Sequence, residues 1–387
     1  MKLSLHEVVK RIERAILKAP KRFLYVLLSM IVNNSTPAER LTKSSVRRVL
    51  LIRDDRVGDM IITLPTISFL RRLLPDSMID VLASPSNASV AAACTSVSTV
   101  YINPSGFLAQ LRLLRSLRSQ SYDVVFACVT NRSTGVGLKC SYLTAGHGIS
   151  ATTHRGDSYD SLFHVQSRTA AQERTALRKM LMVVPDVIDC EVTEKDSLPC
   201  MEVPGANMEN AQKFLSVHGL KSGTFGVVNI SVRTERNAWS DDGFVRALDT
   251  MSTLSGLPAL VIAMPQDVQR AQRIVQRSLH ALLVPPTNDV LDVAAIVCMA
   301  RCVVTPDTAI VHMCSAFAIP VVALYCSYSH GIEEWGPTHN PHARTLQPDT
   351  GESVIGIQPE STEREIRSLW KQSAQHFATG GDRSSES

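Results

Sequence analysis

Residues 303–313 read Val-Val-Thr-Pro-Asp-Thr-Ala-Ile-Val-His-Met, an apolar run that passes directly into a helical pattern. The first residues are apolar and β-branched, which is typical of a strand inside a parallel sheet. Pro306 ends this strand, and the residues after it present free backbone N–H groups at the start of a helix. The stretch therefore predicts an α/β fold. Its helix N-terminus, with Thr308 as an added hydroxyl donor, is suited to binding a diphosphate.

Two blocks of the chain repeat this alternation of strand and helix. The first block begins with the apolar run Val49–Ile52, and the second begins with Phe225–Ile230. Short strand–helix units in two blocks predict two doubly wound, Rossmann-like parallel sheets, joined by a linker near residues 195–208. Further strands are predicted at 78–83, 97–102, 123–129, 259–264, 281–284, 302–305 and 321–325, with helices at 59–74, 107–117, 170–182, 240–255, 266–278, 289–299 and 307–317.

The pattern predicts two domains, 46–205 and 206–365, each of a size that supports its own core. Residues 1–45 are expected to form a basic amphipathic segment and a linker, and residues 366–387 a helix end and a disordered tail. Ligands of doubly wound sheets bind beyond the carboxyl ends of the strands. Two such sheets facing each other would place one cleft between them.

The composition argues against several classes of protein. Aromatic residues make up only 5% and the formal net charge is +4, so nucleic-acid binding is not expected. The nine cysteines form no Cys-x-x-Cys pair, and several lie in apolar stretches. This pattern indicates buried free thiols in a reducing compartment, with no disulfide framework and no metal site. No cofactor is expected.

The N-terminal residues 1–32 combine basic side chains with apolar residues at helical spacing and end in the apolar run 23–32. About twenty apolar residues are needed to cross a bilayer, so this run is too short to span one. One interpretation is reversible docking on an anionic membrane, which would place the protein on the cytoplasmic side of an inner membrane. The other is a helix that packs on the body of the protein.

A second loop that could carry chemistry is Arg53-Asp54-Asp55-Arg56-Val57-Gly58-Asp59, which follows the first strand. It matches neither the Gly-x-Gly-x-x-Gly dinucleotide fingerprint nor a P-loop. It does place the carboxylate of Asp59 beside Gly58 at a helix N-terminus. Asp59 is a candidate for chemistry or a simple helix cap. Asp307 has the same two interpretations, and His312 is either a site residue or a core histidine.

These loops resemble the motifs of glycosyltransferase family 9, the heptosyltransferases. Residues 52–59 with Thr63-Leu64-Pro65 resemble the opening motif, and residues 305–312 resemble the nucleotide-sugar motif. Residues 229–239, from Asn-Ile-Ser to Trp, resemble the middle motif. Pro-Val-Val-Ala-Leu-Tyr at 320–325 and Glu-Trp-Gly-Pro at 334–337 complete the set in the family's order.

The resemblance implies a GT-B architecture with inverting, metal-independent sugar transfer from a nucleotide-sugar such as ADP-heptose to a lipid-linked glycan acceptor. Asp59 matches the proposed general base, and the acceptor is expected beside Arg53, Arg56 and Gly58. The donor-binding positions are expected to be Asp307, Thr308, Ala309, His312, Arg236 and Asp267. Asp267 has two interpretations: it contacts the ribose or the base of the donor, or it only caps a helix.

Three positions depart from the family pattern. Ala309 replaces a usual glycine, Asn237 replaces a usual basic residue with Arg236 one position earlier, and Cys326-Ser327 replaces a usual Gly-Pro. The departures bear mainly on which sugar is transferred. Two other functions are compatible with this sequence: a nucleotide-sugar epimerase of the same fold, and an inactive membrane-bound assembly subunit.

Overall fold

The computed structural model describes residues 34, 39–130, 133–154, 161–287, 289–327, 331–349 and 352–379. The expected membrane segment, residues 1–32, lies outside the described residues. The chain separates into two compact units. Among the described residues, the first unit contains those up to Asp55, Thr66–Ala88 and Ser96–Ser197, and the second contains Arg56–Pro65, Ser89–Thr95 and those from Leu198 onward.

The first unit is built on a parallel sheet with the strand order β3-β2-β1-β4-β5-β6. The central strand β1 is buried from Val49 to Arg53, as expected for a strand covered on both faces. The strands are β1 (Arg48–Arg53), β2 (Met78–Ala83), β3 (Thr99–Ile102), β4 (Val124–Ala127), β5 (Ile149–Thr152) and β6 (Val165–Gln166).

The second unit repeats the same order, β12-β11-β10-β7-β8-β9, again with parallel pairing. The predicted architecture of two doubly wound sheets is therefore confirmed. The strands are β7 (Gly226–Asn229), β8 (Ala259–Ile262), β9 (Ala281–Leu283), β10 (Cys302–Pro306), β11 (Val321–Leu324) and β12 (Ala343–Leu346).

The α-helices of the described residues connect these strands. They are α1 (Val57–Ile61), α2 (Leu64–Leu73), α3 (Ala88–Ala93), α4 (Phe107–Arg118), α5 (Thr134–Thr144), α6 (Ala176–Leu181), α7 (Gly205–Val217), α8 (Asp241–Ser255), α9 (Val268–Arg277), α10 (Val290–Cys298), α11 (Ala309–Ala316), α12 (Gly331–Trp335) and α13 (Pro359–Thr379). None of the helices described is long and apolar enough to cross a bilayer.

The helix expected at 59–74 is divided into two pieces, α1 and α2. Pro65 has no N–H to donate to the preceding turn, so the helix is interrupted at this point. The Thr63 hydroxyl donates to the carbonyl of Asp59 at 2.8 Å and closes the end of α1. The break makes α1 a separate five-residue helix that carries Gly58 and Asp59.

Other expectations were also wrong in detail. The linker near 195–208 is shorter than expected because α7 already begins at Gly205. The helix expected at 170–182 is a 3₁₀ turn at Ala170–Gln172 followed by α6. The strands β5, β6 and β12 were missed, because they are short and mix polar with apolar residues. Helix α13 extends from Pro359 to Thr379, and its Leu369 and Trp370 are buried.

The buried core of the second unit shows which side chains of strands β7, β10 and β11 lie on the same face of the sheet. Val228, Val304 and Leu324 belong to one buried cluster with Trp239 and Trp370. Side chains alternate between the two faces of a strand. The intervening residues Asn229, Thr305 and Tyr325 therefore lie on the opposite face.

All nine cysteines lie in the described residues and are free thiols, as the sequence predicted. Burial raises the pKa of Cys128 and of Cys302 to about 12, so both are protonated thiols at neutral pH.

Candidate functional site

The candidate site lies where the strand order of the second sheet reverses, between β7 and β10. From β7 the chain proceeds to one edge of the sheet, and from β10 it proceeds to the other. In doubly wound sheets the crevice at this point, beyond the carboxyl ends of the strands, is where ligands bind. Asn229 ends β7 and Pro306 ends β10, so both connecting loops start at this crevice.

A hydrogen-bond network joins these strand ends. The side-chain amide of Asn229 donates to Thr305 Oγ1 at 3.0 Å and to Thr308 Oγ1 at 3.3 Å. The Oγ1 atoms of Thr305 and Thr308 are 3.0 Å apart. Because Thr305 donates its proton to the carbonyl of Pro306, the Thr308 hydroxyl is the donor between the two threonines. The hydrogen bonds among Asn229, Thr305 and Thr308 therefore hold the turn between β10 and α11 in place.

The turn itself presents the start of α11. Thr308 is the N-cap, and its hydroxyl accepts a hydrogen bond from the N–H of Ile310 at 3.3 Å. The first N–H groups of a helix have no partner within the helix, and the helix dipole makes this end attractive to anions. Ala309 is the first helical residue, and His312 lies one turn further along, 8% exposed. Thr308, Ala309 and His312 thus lie at the cap and in the first turn of one helix.

Asp307 lies next to this helix start and is half-buried. Burial raises the pKa of its carboxyl group, while the positive charge of Arg56 acts in the opposite direction. Its backbone N–H donates to the carbonyl of Leu324 at 3.0 Å, so the backbone of Asp307 continues the pairing of β10 with β11.

Tyr325, the residue after β11, is fully buried, and its hydroxyl has no hydrogen-bond partner in the part of the chain that the structure describes. Burial raises the pKa of this hydroxyl, and the negative charge of Asp307 raises it further. Pro306 is paired with Leu324, so Asp307 and Tyr325 occupy corresponding positions at the ends of neighbouring strands. A buried neutral hydroxyl therefore lies close to the Asp307 carboxylate.

Helix α1 packs against α11 within the same unit. Gly58 allows this approach: a Cβ atom at position 58 would lie 2.9 Å from His312 Cδ2 and 3.4 Å from Ala309 Cα. Contacts this short exclude a larger side chain unless His312 moves. Asp59, the next residue, lies in the first turn of α1 and is partly exposed. The close packing brings the candidate base and the candidate diphosphate-binding helix start into one unit.

The structure places Arg236 and Asp267 in other surroundings. Asp267 ends a 3₁₀ turn beyond β8 and does not cap α9 with its side chain. Arg236 is exposed, and its carbonyl accepts a hydrogen bond from the Ser353 hydroxyl at 2.8 Å. A cavity of about 570 Å³ is lined by Arg236 together with Glu235, Ala238, Trp239, Ser240, Asp241, Arg270, Ser353 and Ile355. Neither Asp307 nor Thr308 lines this cavity.

The loop after β1 in the first unit is held by buried polar contacts. The Arg53 side chain is fully buried, donates to the carbonyl of Cys128 and pairs with Asp55 at 3.2 Å. Asp54 pairs with Lys139 of α5 and accepts a hydrogen bond from Asn103 at 2.7 Å. The guanidinium of Arg53 therefore supports the loop from inside rather than presenting a charge at its surface.

Sequence reasoning did not single out Asn229, Thr305 and Tyr325 as site residues. The available signal was positional: Asn229 and Thr305 are polar residues within or at the end of strands that are otherwise apolar. A buried polar side chain in such a strand requires a hydrogen-bond partner. No group of three or more His, Cys, Asp or Glu side chains that could hold a metal ion occurs in the part of the chain that the structure describes.

Comparison with known proteins identifies a family. Residues 110–353 match the sequence model of glycosyltransferase family 9 (heptosyltransferase). This match spans more than half of the chain. A search of curated protein sequences finds no match.

Solved structures share the fold at low sequence identity. A family 9 glycosyltransferase from Veillonella parvula superposes with a TM-score of 0.73 at 19% identity, covering 87% of this chain and 100% of that one. ADP-heptose LPS heptosyltransferase II from E. coli gives 0.66 at 18% identity, covering 84% and 99%. The E. coli heptosyltransferase WaaC with ADP gives 0.66 at 16% identity, covering 83% and 99%. The fold is thus the GT-B type.

Proposed function

The chain belongs to glycosyltransferase family 9, the heptosyltransferase family, and from this premise we propose that it transfers heptose or a related sugar from a nucleotide diphosphate to a lipopolysaccharide or related surface glycan. The proposed transfer inverts the anomeric centre and needs no metal ion. The solved relatives support the donor, since one is an ADP-heptose transferase and another is seen with ADP. We propose ADP-heptose or a similar nucleotide-sugar as the donor.

The observation that carries this proposal is the contact of Gly58 with His312. It joins the helix that carries the Asp59 carboxylate in its first turn to the helix that is capped by Thr308. An inverting transfer requires a base near the acceptor hydroxyl and a diphosphate-binding site beyond the anomeric carbon. These two elements, far apart in sequence, are packed together in the second unit.

We assign each residue a step. Asp59 accepts the proton of the acceptor hydroxyl as its oxygen attacks the anomeric carbon from the face opposite the leaving nucleotide. General-base assistance of this kind contributes about 10²–10⁴-fold. The start of α11, with Thr308, stabilises the charge that develops on the leaving diphosphate. Asp307 is itself an acid, so it binds sugar hydroxyls rather than phosphate.

The remaining expected residues have supporting roles in this proposal. Arg56 lies close enough to act on the charge of Asp307 and favours its ionised form. Arg236 and Asp267 are proposed to contact the diphosphate and the nucleoside, respectively, from the loops beyond β7 and β8. Residues 46–205 would bind the acceptor and residues 206–365 the donor. Residues 1–32 would contact the inner face of the inner membrane.

The test compares cells with and without the gene. Glycolipid extracted from the deletion strain serves as the acceptor for the purified protein with ADP-heptose, with and without a chelator. We expect ADP release and a glycolipid whose mass rises by one heptose residue, with chelator present or absent. NMR of the product should show the inverted anomeric configuration. No change in glycolipid mass, with an epimeric nucleotide-sugar formed instead, would favour an epimerase. No turnover of any kind would favour an inactive subunit.

A further inference from the structure

Three large apolar side chains lie exposed together at one end of the first unit. Ile102 ends β3 and is 53% exposed, while Phe107 and Leu108 begin α4 and are 76% and 67% exposed. Gly106, between them, has φ 100°, a left-handed conformation that favours glycine and turns the chain into the helix. We call Ile102, Phe107 and Leu108 the apolar tip. Clustered exposed apolar side chains usually mark an interaction surface.

Two arginines extend from the apolar tip along one face of α4. Arg112 and Arg115 follow Leu108 by four and seven residues, the spacing of one helix face, and both are exposed. Neither side chain makes an ion pair or a hydrogen bond with another described residue. Arg118, one turn further, is instead engaged with the ring of Tyr142 and the carbonyl of Ala145. The exposed face of α4 therefore carries two positive charges that have no ionic partner among the described residues.

The surrounding sequence contains no acid to neutralise them. No Asp or Glu occurs between Asp80 and Asp123. Asp80 is buried and bonded to the hydroxyl of Tyr122. Asp123 accepts hydrogen bonds from the backbone N–H groups of Arg47 and Arg48, at 2.7 and 2.9 Å. On the neighbouring helix α5, Lys139 is itself a cation, paired with Asp54. The surface is complementary to an anionic partner.

We propose that the apolar tip with Arg112 and Arg115 is a docking surface for an anionic phospholipid bilayer. Apolar side chains at the start of a helix can enter the acyl boundary, while arginines one and two turns away bind lipid phosphates. The choice of a bilayer rests in one respect on the proposed function, since a lipid-linked acceptor lies in a membrane. This surface is formed by residues of the first unit and does not include residues 1–32.

The first experiment locates the contact in the full-length protein. Phe107→Trp places a fluorophore at the apolar tip, and Leu279→Trp places one at a site 80% exposed in the second unit. Both variants are mixed with vesicles of brominated phosphatidylglycerol or brominated phosphatidylcholine. We expect strong quenching at position 107 in the anionic vesicles, weak quenching there in the neutral vesicles, and none beyond the wild-type background at position 279.

The second experiment measures the contribution to binding. Phe107→Ser with Leu108→Ser should weaken sedimentation with anionic vesicles at least about tenfold, because both inserted side chains are lost. Arg112→Gln and Arg115→Gln should each weaken it about fivefold and reduce its dependence on salt. Leu279→Ser is the matched control and should leave binding unchanged.

Three outcomes would overturn the proposal. Vesicle binding without quenching at position 107 would place the contact elsewhere, with residues 1–32 the first candidate. A change of oligomeric state in Phe107→Ser with Leu108→Ser, with vesicle binding intact, would make the surface an interface between copies of the chain. Complete absence of vesicle binding in the wild-type protein would exclude it outright. Vesicle binding needs neither donor nor acceptor, so failure of sugar transfer is detected separately.

Discussion

The side-chain amide of Asn229 donates to the hydroxyl of Thr308 at 3.3 Å, across a sequence separation of 79 residues. The bond joins the end of β7 to the residue that caps α11. Thr308 also accepts from the N–H of Ile310, so its hydroxyl is held by two donors. The start of the proposed diphosphate-binding helix is therefore fixed by its neighbouring strand before any ligand binds.

This arrangement predicts the effect of changing Thr308. Thr308→Val removes the hydroxyl, and we expect a loss of about 0.5–2 kcal/mol in stability from the missing cap together with a raised KM for the donor. Thr308→Ser keeps the hydroxyl and should retain most of both. Thermal melts and donor-saturation kinetics give the two quantities. Thr175 caps α6 in the first unit, accepting from the N–H of Arg178 at 3.3 Å. Thr175→Val should therefore lower the stability of the protein but leave the KM for the donor unchanged. An unchanged KM in Thr308→Val would remove this residue from donor binding.

The proposed base is tested by Asp59→Asn. The amide has the size of the carboxylate and can still cap a helix, but it cannot accept the proton of an acceptor hydroxyl. We expect kcat to fall by about 10²-fold or more, with an unchanged melting temperature and donor affinity. Asp242 also lies in the first turn of a helix of the second unit, and Asp242→Asn should transfer sugar at the wild-type rate. Near wild-type turnover of Asp59→Asn would show that another group accepts the proton.

The packing of α1 on α11 predicts an effect of a single methyl group. Gly58→Ala would place a Cβ atom 2.9 Å from His312 Cδ2, so the imidazole must move. We expect the donor affinity to fall about threefold to tenfold, the cost of misplacing one polar contact. Gly205 begins α7, where a Cβ atom would meet nothing within 4 Å. Gly205→Ala is accordingly the control and should leave donor affinity unchanged, as measured by isothermal titration. Equal donor affinities for Gly58→Ala and Gly205→Ala would show that the small residue at position 58 is not needed for His312 to support donor binding.

Asp307 predicts a pH dependence of stability. Burial raises the pKa of its carboxyl group, so the folded state disfavours the charged form, and stability is lost as the pH rises from the unfolded to the folded pKa. Asp307→Asn removes this penalty. The variant should melt at a higher temperature than the wild-type protein at pH 7.5. This difference in melting temperature should vanish at pH values below the ordinary pKa of an aspartate.

The charge of Arg56 provides the control for this measurement. Arg56 opposes the rise in the pKa of Asp307, so Arg56→Gln should lower the melting temperature at pH 7.5. In the Asp307→Asn background the same substitution should have no such effect. A melting difference between wild-type and Asp307→Asn that is constant with pH would show that the titration of Asp307 does not contribute.

The amino-acid sequence by itself determined the architecture. The central strands are continuous apolar runs, and β2 was predicted with the bounds Met78–Ala83 that the structure shows. Parallel strands buried on both faces leave this signature because most side chains along them pack into an apolar core on one face or the other. The sequence also located the turns at 53–59 and 305–309, since catalytic and binding residues of such folds lie where strands end.

Only the tertiary structure decided which of these residues meet. The packing of Gly58 on His312, the bond from Asn229 to Thr308 and the burial of Arg53 each join residues far apart in the chain. The short strands β6 and β12 depend in the same way on a neighbouring strand for their hydrogen bonds. Periodicity records which face of an element is buried, because burial selects apolar side chains along it. Periodicity does not show which residue a given side chain contacts, because many different neighbours could bury or hydrogen-bond that side chain. Only the folded chain shows which neighbour it is.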